Sequence, residues 1–332
     1  MFEPIDAHLL PDERPFLDKV VDEPLNDEAR GVYADWLDER GDQRGEFLRQ
    51  LTAAGHTLQV ADFPDPAEIA SAWLELVGHP LLLDLADCED KSIREAALPL
   101  ARPALRMTSV ERSDDVLEIG ASKLGGLPDL PSPRHWPVGE ACRAIYNDAT
   151  AGYQDLAGFL GQVNLAEIAG SYAARDLPSE GLLSFFCFQD WEQDNPDAVG
   201  VCVRWFPSAD LRRIEPHLSL TLGNEVMQAR QLQFAETLDL PEPYDGPWSD
   251  LLHPADDDKY FDALNLVRER NFTNMLGYGR ATSGADPTPD RDSRHLIVLD
   301  NSYECRMHIQ IPASELARAN FDAVTLNWVD FD

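Results

Sequence analysis

Four acidic side chains, Asp190, Glu192, Asp194 and Asp197, crowd into one short stretch and supply the oxygen ligands that a hard cation such as calcium takes. Asn195 stands where the turn glycine of an EF-hand loop belongs, and Val201 where its closing bidentate glutamate would be. The stretch is therefore no EF-hand, and an exposed acidic hairpin loop accounts for it more simply. Gln162 and Asn164 in one expected strand, with Arg204 and Trp205 in a neighbouring one, are the side chains that would line a ligand pocket between strands. Polar groups satisfying sheet ends are the plainer alternative. The pair Gly125-Gly126 follows an expected strand as a phosphate loop would, but no Gly-Lys-Ser/Thr follows and no helix opens there. The eight histidines are dispersed, with no His-Glu-x-x-His and no Gly-x-Ser-x-Gly elbow, so no catalytic residue is assigned.

These residues need elements to position them. Phe16, Leu17, Val20 and Val21 recur at helical spacing, and Ala29, Val32, Tyr33, Trp36 and Leu37 do so again after Asn26, a capping residue. A third helix carries Phe47, Leu48 and Leu51, and a fourth is expected from Asp65-Pro66 through Val77. Asp35, Asp38, Glu39 and Asp42 read as the solvated face opposite the Trp36 stripe rather than as a metal cluster. From Leu105 the period shortens to that of strands, at 105–111 and at 115–119. Further strands are expected at 159–165, 182–188, 199–206, 217–222, 231–237, 295–299, 306–311 and 324–329. Helices are expected at 140–160, 166–174, 257–270 and 313–319.

The abnormal bulk property is charge: 60 Asp and Glu face 27 Lys and Arg, a formal net charge of −33. Such a field repels nucleic-acid backbones and anionic membrane surfaces and draws in cations or a basic protein partner. The five cysteines, Cys88, Cys142, Cys187, Cys202 and Cys305, have no Cys-x-x-Cys spacing and make neither a disulfide framework nor a zinc site. The N-terminus lacks a basic, apolar leader and no apolar run is long enough to span a bilayer, so a cytoplasmic location is expected.

Two stretches resemble known families. Tyr33-Ala-Asp-Trp-Leu-Asp-Glu-Arg-Gly-Asp, with Arg44-Gly-Glu-Phe-Leu-Arg following, is similar to the bacterial repeat-companion domain, over about residues 15–52. That resemblance implies an accessory module set beside varied partner domains. Ser122-Lys-Leu-Gly-Gly-Leu-Pro, Trp136-Pro, Phe159-Leu-Gly-Gln-Val-Asn-Leu, Leu177-Pro-x-x-Gly-x-Leu-x-Phe-Phe, Met275-Leu-Gly-Tyr and Leu296-Ile-Val-Leu-Asp together resemble the YwqG-like family of uncharacterised bacterial proteins. The resemblance implies an α+β domain with approximate internal repetition, in which 162–165 and 296–300 occupy similar places in two halves. It brings no catalytic residues. Asn301-Ser-Tyr-Glu-Cys-Arg departs from the Gly-Asp-x-Gly turn that such proteins carry before their last strands.

The expected architecture is α+β: a helical module over 1–55, a helical connecting segment over 56–104, and a mainly antiparallel α+β domain over 105–332. Gly125, Gly126, Trp136 and Gly181 are expected to set how ribbon and sheet pack. The expected function is a non-enzymatic binding or regulatory protein. A hydrolase or small-ligand enzyme with its site in the α+β domain is the alternative, and calcium binding by Asp190, Glu192, Asp194 and Asp197 is a third. No other cofactor is expected.

Overall fold

The computed structural model describes residues 5–24, 26–88, 90–138, 143–144, 157–189, 199–215, 228–241, 263, 273–279, 292–300 and 305–331. The acidic loop at 190–197, the strand expected at 217–222 and all of the 257–270 helix except Ala263 lie outside the described residues.

The N-terminal third is helical: α1 (Arg14–Asp22), α2 (Asp27–Asp38), α3 (Arg44–Thr57), α4 (Ser71–Leu76), α5 (His79–Asp87) and α6 (Lys91–Ala97). The Asn26 side chain caps α2 by accepting from Ala29 N at 2.9 Å. The fourth helix starts at Ser71 rather than at Asp65, because the Asp65 carboxylate closes a turn on Ala67 N at 3.0 Å and Glu68 takes a positive φ of 73°. Leu17, Tyr33, Leu37, Leu48, Trp73 and Leu85 share one core, and Tyr172, Leu238 and Leu240 from the sheet region belong to it as well. At its centre Arg44 donates to both oxygens of the fully buried Glu13 at 2.9 Å each. Tyr33 Oη donates to Glu13 and in turn accepts from Trp73 Nε1 at 2.8 Å. The acidic residues after Tyr33 have partners: Asp35 and Asp38 pair with Arg49, and Asp42 pairs with Arg44.

The remainder is built on an antiparallel sheet. Its strands are β1 (Arg102–Glu111), β2 (Lys123–Leu124), β4 (Arg143–Ala144), β5 (Gly158–Asn164), β6 (Leu182–Gln189), β7 (Val199–Phe206), β9 (Arg230–Asp239), β10 (Asn274–Met275), β11 (Ser293–Asp300), β12 (Cys305–Pro312) and β13 (Thr325–Phe331). They run in the order 13-12-11-10-1-9-2-5-6-7-4, and a separate ribbon pairs β3 (Asp129–Leu130) with β8 (Arg212–Arg213). Strand β13 at one end of the sheet packs against β7 and β4 at the other, so the sheet nearly closes on itself. The enclosed core includes Leu105, Phe185, Val203, Ile297, Ile309 and Leu326. The class is α+β.

The sheet repeats itself about a local two-fold. β1 and β9 pair over their whole length, and the axis passes through the Thr108–Gln233 pair. On one side β2, β5, β6 and β7 follow outward, and on the other β10, β11, β12 and β13. The correspondence extends to single hydrogen bonds. Met107 N donates to Thr273 O at 2.7 Å and Leu232 N to Ser122 O at 3.0 Å; Gly125 N donates to Leu160 O at 2.8 Å and Leu276 N to Leu296 O at 3.1 Å. Leu160 and Leu296 each sit in a register shift of the strand pair beyond. Gly125 (φ 63°) and Leu276 (φ 67°) both take the left-handed conformation, which Gly adopts freely and Leu only where packing holds it.

Close approach fixes the next residue of each turn. A Cβ on Gly126 would meet Asp114 Oδ2 and, at 2.8 Å, Ala229 Cβ; one on Gly277 would meet Asp239 Oδ2 and, at 2.8 Å, Ala104 Cβ. We expect Gly126→Ala, which adds a left-handed φ of 71° to the overpacking, to cost about 2–4 kcal/mol, and Gly277→Ala about 1–3 kcal/mol from overpacking alone. Denaturant midpoints measure this, and a neutral Gly277→Ala would show the two turns are not equivalent.

Three expectations of local structure are corrected. Residues 115–119 form turns rather than a strand, because Asp114 is drawn inward; Val116 and Ile119 are left 66% and 49% exposed. The helix expected over 166–174 is α7 (Leu165–Ile168) alone, ended before Gly170 at φ 91°. Where 140–160 is described, Arg143–Ala144 and Gly158 onward are strand, not helix.

Candidate functional site

Among the described residues of the sheet region, buried charge gathers beneath the Gly125-Gly126 turn. Lys123 is fully buried on β2, and its Nζ donates to Asp114 Oδ1 and to Leu127 O, each at 2.5 Å. Asp114 Oδ2 accepts from Leu127 N at 2.7 Å, so one carboxylate and one ammonium hold both polar groups of the same peptide stretch. Asp129, also fully buried, accepts from Gly120 N at 2.9 Å, Gln162 Nε2 at 2.7 Å and Arg213 Nε at 3.0 Å. Gln162 is itself completely used: its Oε1 accepts from Asp129 N at 3.0 Å and its Nε2 also donates to Ala121 O at 2.9 Å. Burial lowers the Lys123 pKa, and the two carboxylates oppose that shift. Two cations face two anions, each with directed hydrogen bonds, which is what makes buried charge tolerable.

The second turn carries a counterpart in which an amide replaces the ammonium. Asn274 Nδ2 donates to Asp239 Oδ2 at 2.8 Å and to Tyr278 O at 3.0 Å, while Tyr278 N donates to Asp239 Oδ2 at 2.7 Å. Asn274 thus does what Lys123 does, and Asp239 what Asp114 does. The common task is to tie a glycine turn to the central strands. The first turn adds Asp129, Arg213 and Gln162, which fasten the 120–131 ribbon and β8 to the sheet.

The other residues singled out in the sequence are placed as follows. Asn164 caps α7, accepting from Ala166 N at 3.1 Å. Gln162, Ser184 and Arg204 lie opposite one another across β5, β6 and β7, so those strands bring Gln162 and Arg204 into one row. Arg204 pairs with Asp322 at the mouth of a cavity of about 270 Å³ whose wall includes Cys202, Phe321 and Val324. Burial pushes the Cys202 thiol up to about 11, so no thiolate stands there near neutral pH. Trp205 is 40% exposed and donates from Nε1 to Glu180 O at 3.2 Å. Its indole covers Gly181, where a Cβ would also meet Phe206 O at 2.9 Å. Trp136 donates from Nε1 to Ala157 O at 2.7 Å and packs with Phe159, Phe186 and Phe206. Asp190, Glu192, Asp194 and Asp197 are outside the described residues; among those described, no three His, Cys, Asp or Glu side chains converge as a metal site would require. His295 and His308 are fully buried strand residues with ring centroids 6.0 Å apart.

Sequence reasoning missed Asp114, Asp129, Asp239 and Arg213, since each acts across a long stretch of chain. One signal was present: the same offset separates Asp114 from Asp239 as separates Ala104 from Ala229.

The profile of a family described as "Domain of unknown function (DUF1963)" matches residues 122–329. The chain belongs to that family. The matched range begins at Ser122, so it holds both turns, Lys123, Asp129, Gln162 and Asn274, but leaves β1 and Asp114 outside. No curated protein matches the chain. Among the described residues, no helix is long and apolar enough to cross a membrane.

Proposed function

We propose that the chain is a non-enzymatic binding protein of the cytoplasm that docks a basic protein through its acidic surface. The observation that supports this reading is the division of charge. Seven of the described cations pair with carboxylates of the same chain: Lys123 and Arg213 beneath the first turn, Arg44 in the helical core, and Arg14, Arg49, Arg175 and Arg204. The formal charge of −33 leaves carboxylates in large surplus over cations. A field of one sign raises the encounter rate with opposite charge and is weakened by salt. Lys123, Asp129 and Gln162 within the matched range are buried and hydrogen-bonded within one network, which favours a structural role for these three.

Within this reading, the sheet domain is the YwqG-like part and residues 15–52 are an accessory module of the repeat-companion kind. Capture of partners by the full chain from lysate at about 50 mM salt, with release at about 500 mM, tests the proposal. The expected result is a basic protein that, once purified, rebinds with fixed stoichiometry. Turnover of a substrate by the purified chain, or a partner that is acidic, would overturn it.

A further inference from the structure

The outward side of the first two helices carries an apolar groove. It has a volume of about 480 Å³, with Phe16, Ala29 and Val32 on its floor and Lys19, Glu23 and Glu28 on its rim. That volume is within the roughly 300–1,000 Å³ of pockets that engulf a ligand. Val32 is 52% exposed although its neighbour Tyr33 is fully buried, so α2 presents a branched apolar side chain on its wet face. The floor is preorganised. Phe16 lies against Trp36 with ring centroids 4.9 Å apart and stacks on Tyr33 at 6.3 Å, and Tyr33 is locked by Glu13 and Trp73.

The rim decides what fits. Lys19 is neutralised by Glu23, which also accepts from Asn26 Nδ2 at 2.6 Å, while the Glu28 carboxylate has no hydrogen bond or ion pair among the described residues. The groove is apolar below and net acidic above, on a chain of charge −33. A second copy carries the same charge and is repelled. A lone apolar ligand leaves Glu28 without a counter-ion.

We infer that the α1–α2 groove receives an amphipathic basic helix of a partner protein, its apolar residues seated on Phe16, Ala29 and Val32 and its Lys or Arg side chains against Glu28 and Glu23. This is the helix-in-groove mode, read by anchors at i, i+3/i+4 and i+7. It rests on the reading of the chain as a binder of a basic partner and gives that reading a place and a shape.

The test uses the full chain and a synthetic alanine-rich helical peptide of about 20 residues, with leucine at i, i+4 and i+7 on one face and lysine spaced along the other. A second peptide of equal charge has serine for leucine. Calorimetric titration is expected to show one site for the leucine peptide and binding at least about tenfold weaker for the serine peptide. Ala29→Arg and Glu28→Lys are each expected to weaken the leucine peptide about tenfold, while Glu111→Lys, the same charge change on exposed β1, leaves it within about twofold. Both acidic sites are exposed, and an unchanged melting midpoint shows that a variant folds. Equal binding of the two peptides, or equal weakening by Glu28→Lys and Glu111→Lys, overturns the groove while leaving a diffuse acidic binder standing. No binding of either basic peptide overturns both readings.

Discussion

Lys123→Met is expected to destabilise the protein by about 3–5 kcal/mol, the cost of removing one partner from a buried ion pair. Methionine keeps the length and most of the apolar volume of lysine, so the loss reports the charge and not a cavity. Without the ammonium, Asp114 Oδ1 and Leu127 O both lose their 2.5 Å donor, and Asp114 keeps Leu127 N and the Arg213 guanidinium at 3.5 Å. Asp129 retains its donors from Gly120, Gln162 and Arg213, which confines the damage to the turn. Denaturant unfolding measures the effect. A loss under about 1 kcal/mol, the worth of a surface pair, would mean water reaches the Lys123 site freely.

Glu236→Gln is expected to flatten the pH dependence of stability on the acid side of neutrality. Glu236 lies on β9, 3% exposed, with Oε1 accepting from Tyr172 N and from Ala173 N at 3.1 Å. Burial pushes its carboxyl up to about 7; the two amides and Arg14 pull the other way and Asp6 adds to the rise. The sign follows from proton binding. An unfolded glutamate titrates near 4.3, so between about 4.3 and about 7 the folded state holds a proton that the unfolded state has released. Stability from this group is therefore full below about 4.3, falls as pH rises to about 7, and is level above. A rise of two to three units corresponds to about 3 kcal/mol. Glutamine keeps an acceptor for the two amides and cannot titrate. Melting of parent and variant from about pH 4 to pH 8 should show the gap between them moving in the variant's favour as pH rises. Parallel curves would place Glu236 in contact with water.

Glu236 also shows why part of the molecule was illegible in the sequence. It occupies an alternating strand position like any other, and only the fold brings the 171–174 turn and α1 over it. The strands themselves were legible: β6 and β7 are short apolar runs buried on both faces and were expected nearly residue for residue. Periodicity misled at 115–119, where alternation of Val116, Leu117 and Ile119 came from a turn pulled inward at Asp114. The internal repeat was expected from the family resemblance, which sets 162–165 and 296–300 in similar places. Its anchors were not, because a carboxylate after β1 and another ending β9 carry no local mark. Gln162 was singled out as a pocket-lining or sheet-end residue; what it binds, the Asp129 peptide and carboxylate, cannot be seen without pairing β2 to β5. Arg204 lines a cavity because the 321–324 turn leading into β13 packs on β7, a contact between distant parts of the chain.

The central claim is that the chain works by binding a basic partner with its surplus of carboxylates rather than by chemistry at the sealed Lys123 network. The measurement that bears on it most directly is the dissociation constant of the captured, purified partner at a series of salt concentrations. The account predicts a saturable complex that weakens by about tenfold or more between about 50 and 500 mM salt, as pairing across exposed surfaces requires. An affinity unchanged across that range, or no saturable complex at the lowest salt, would contradict it.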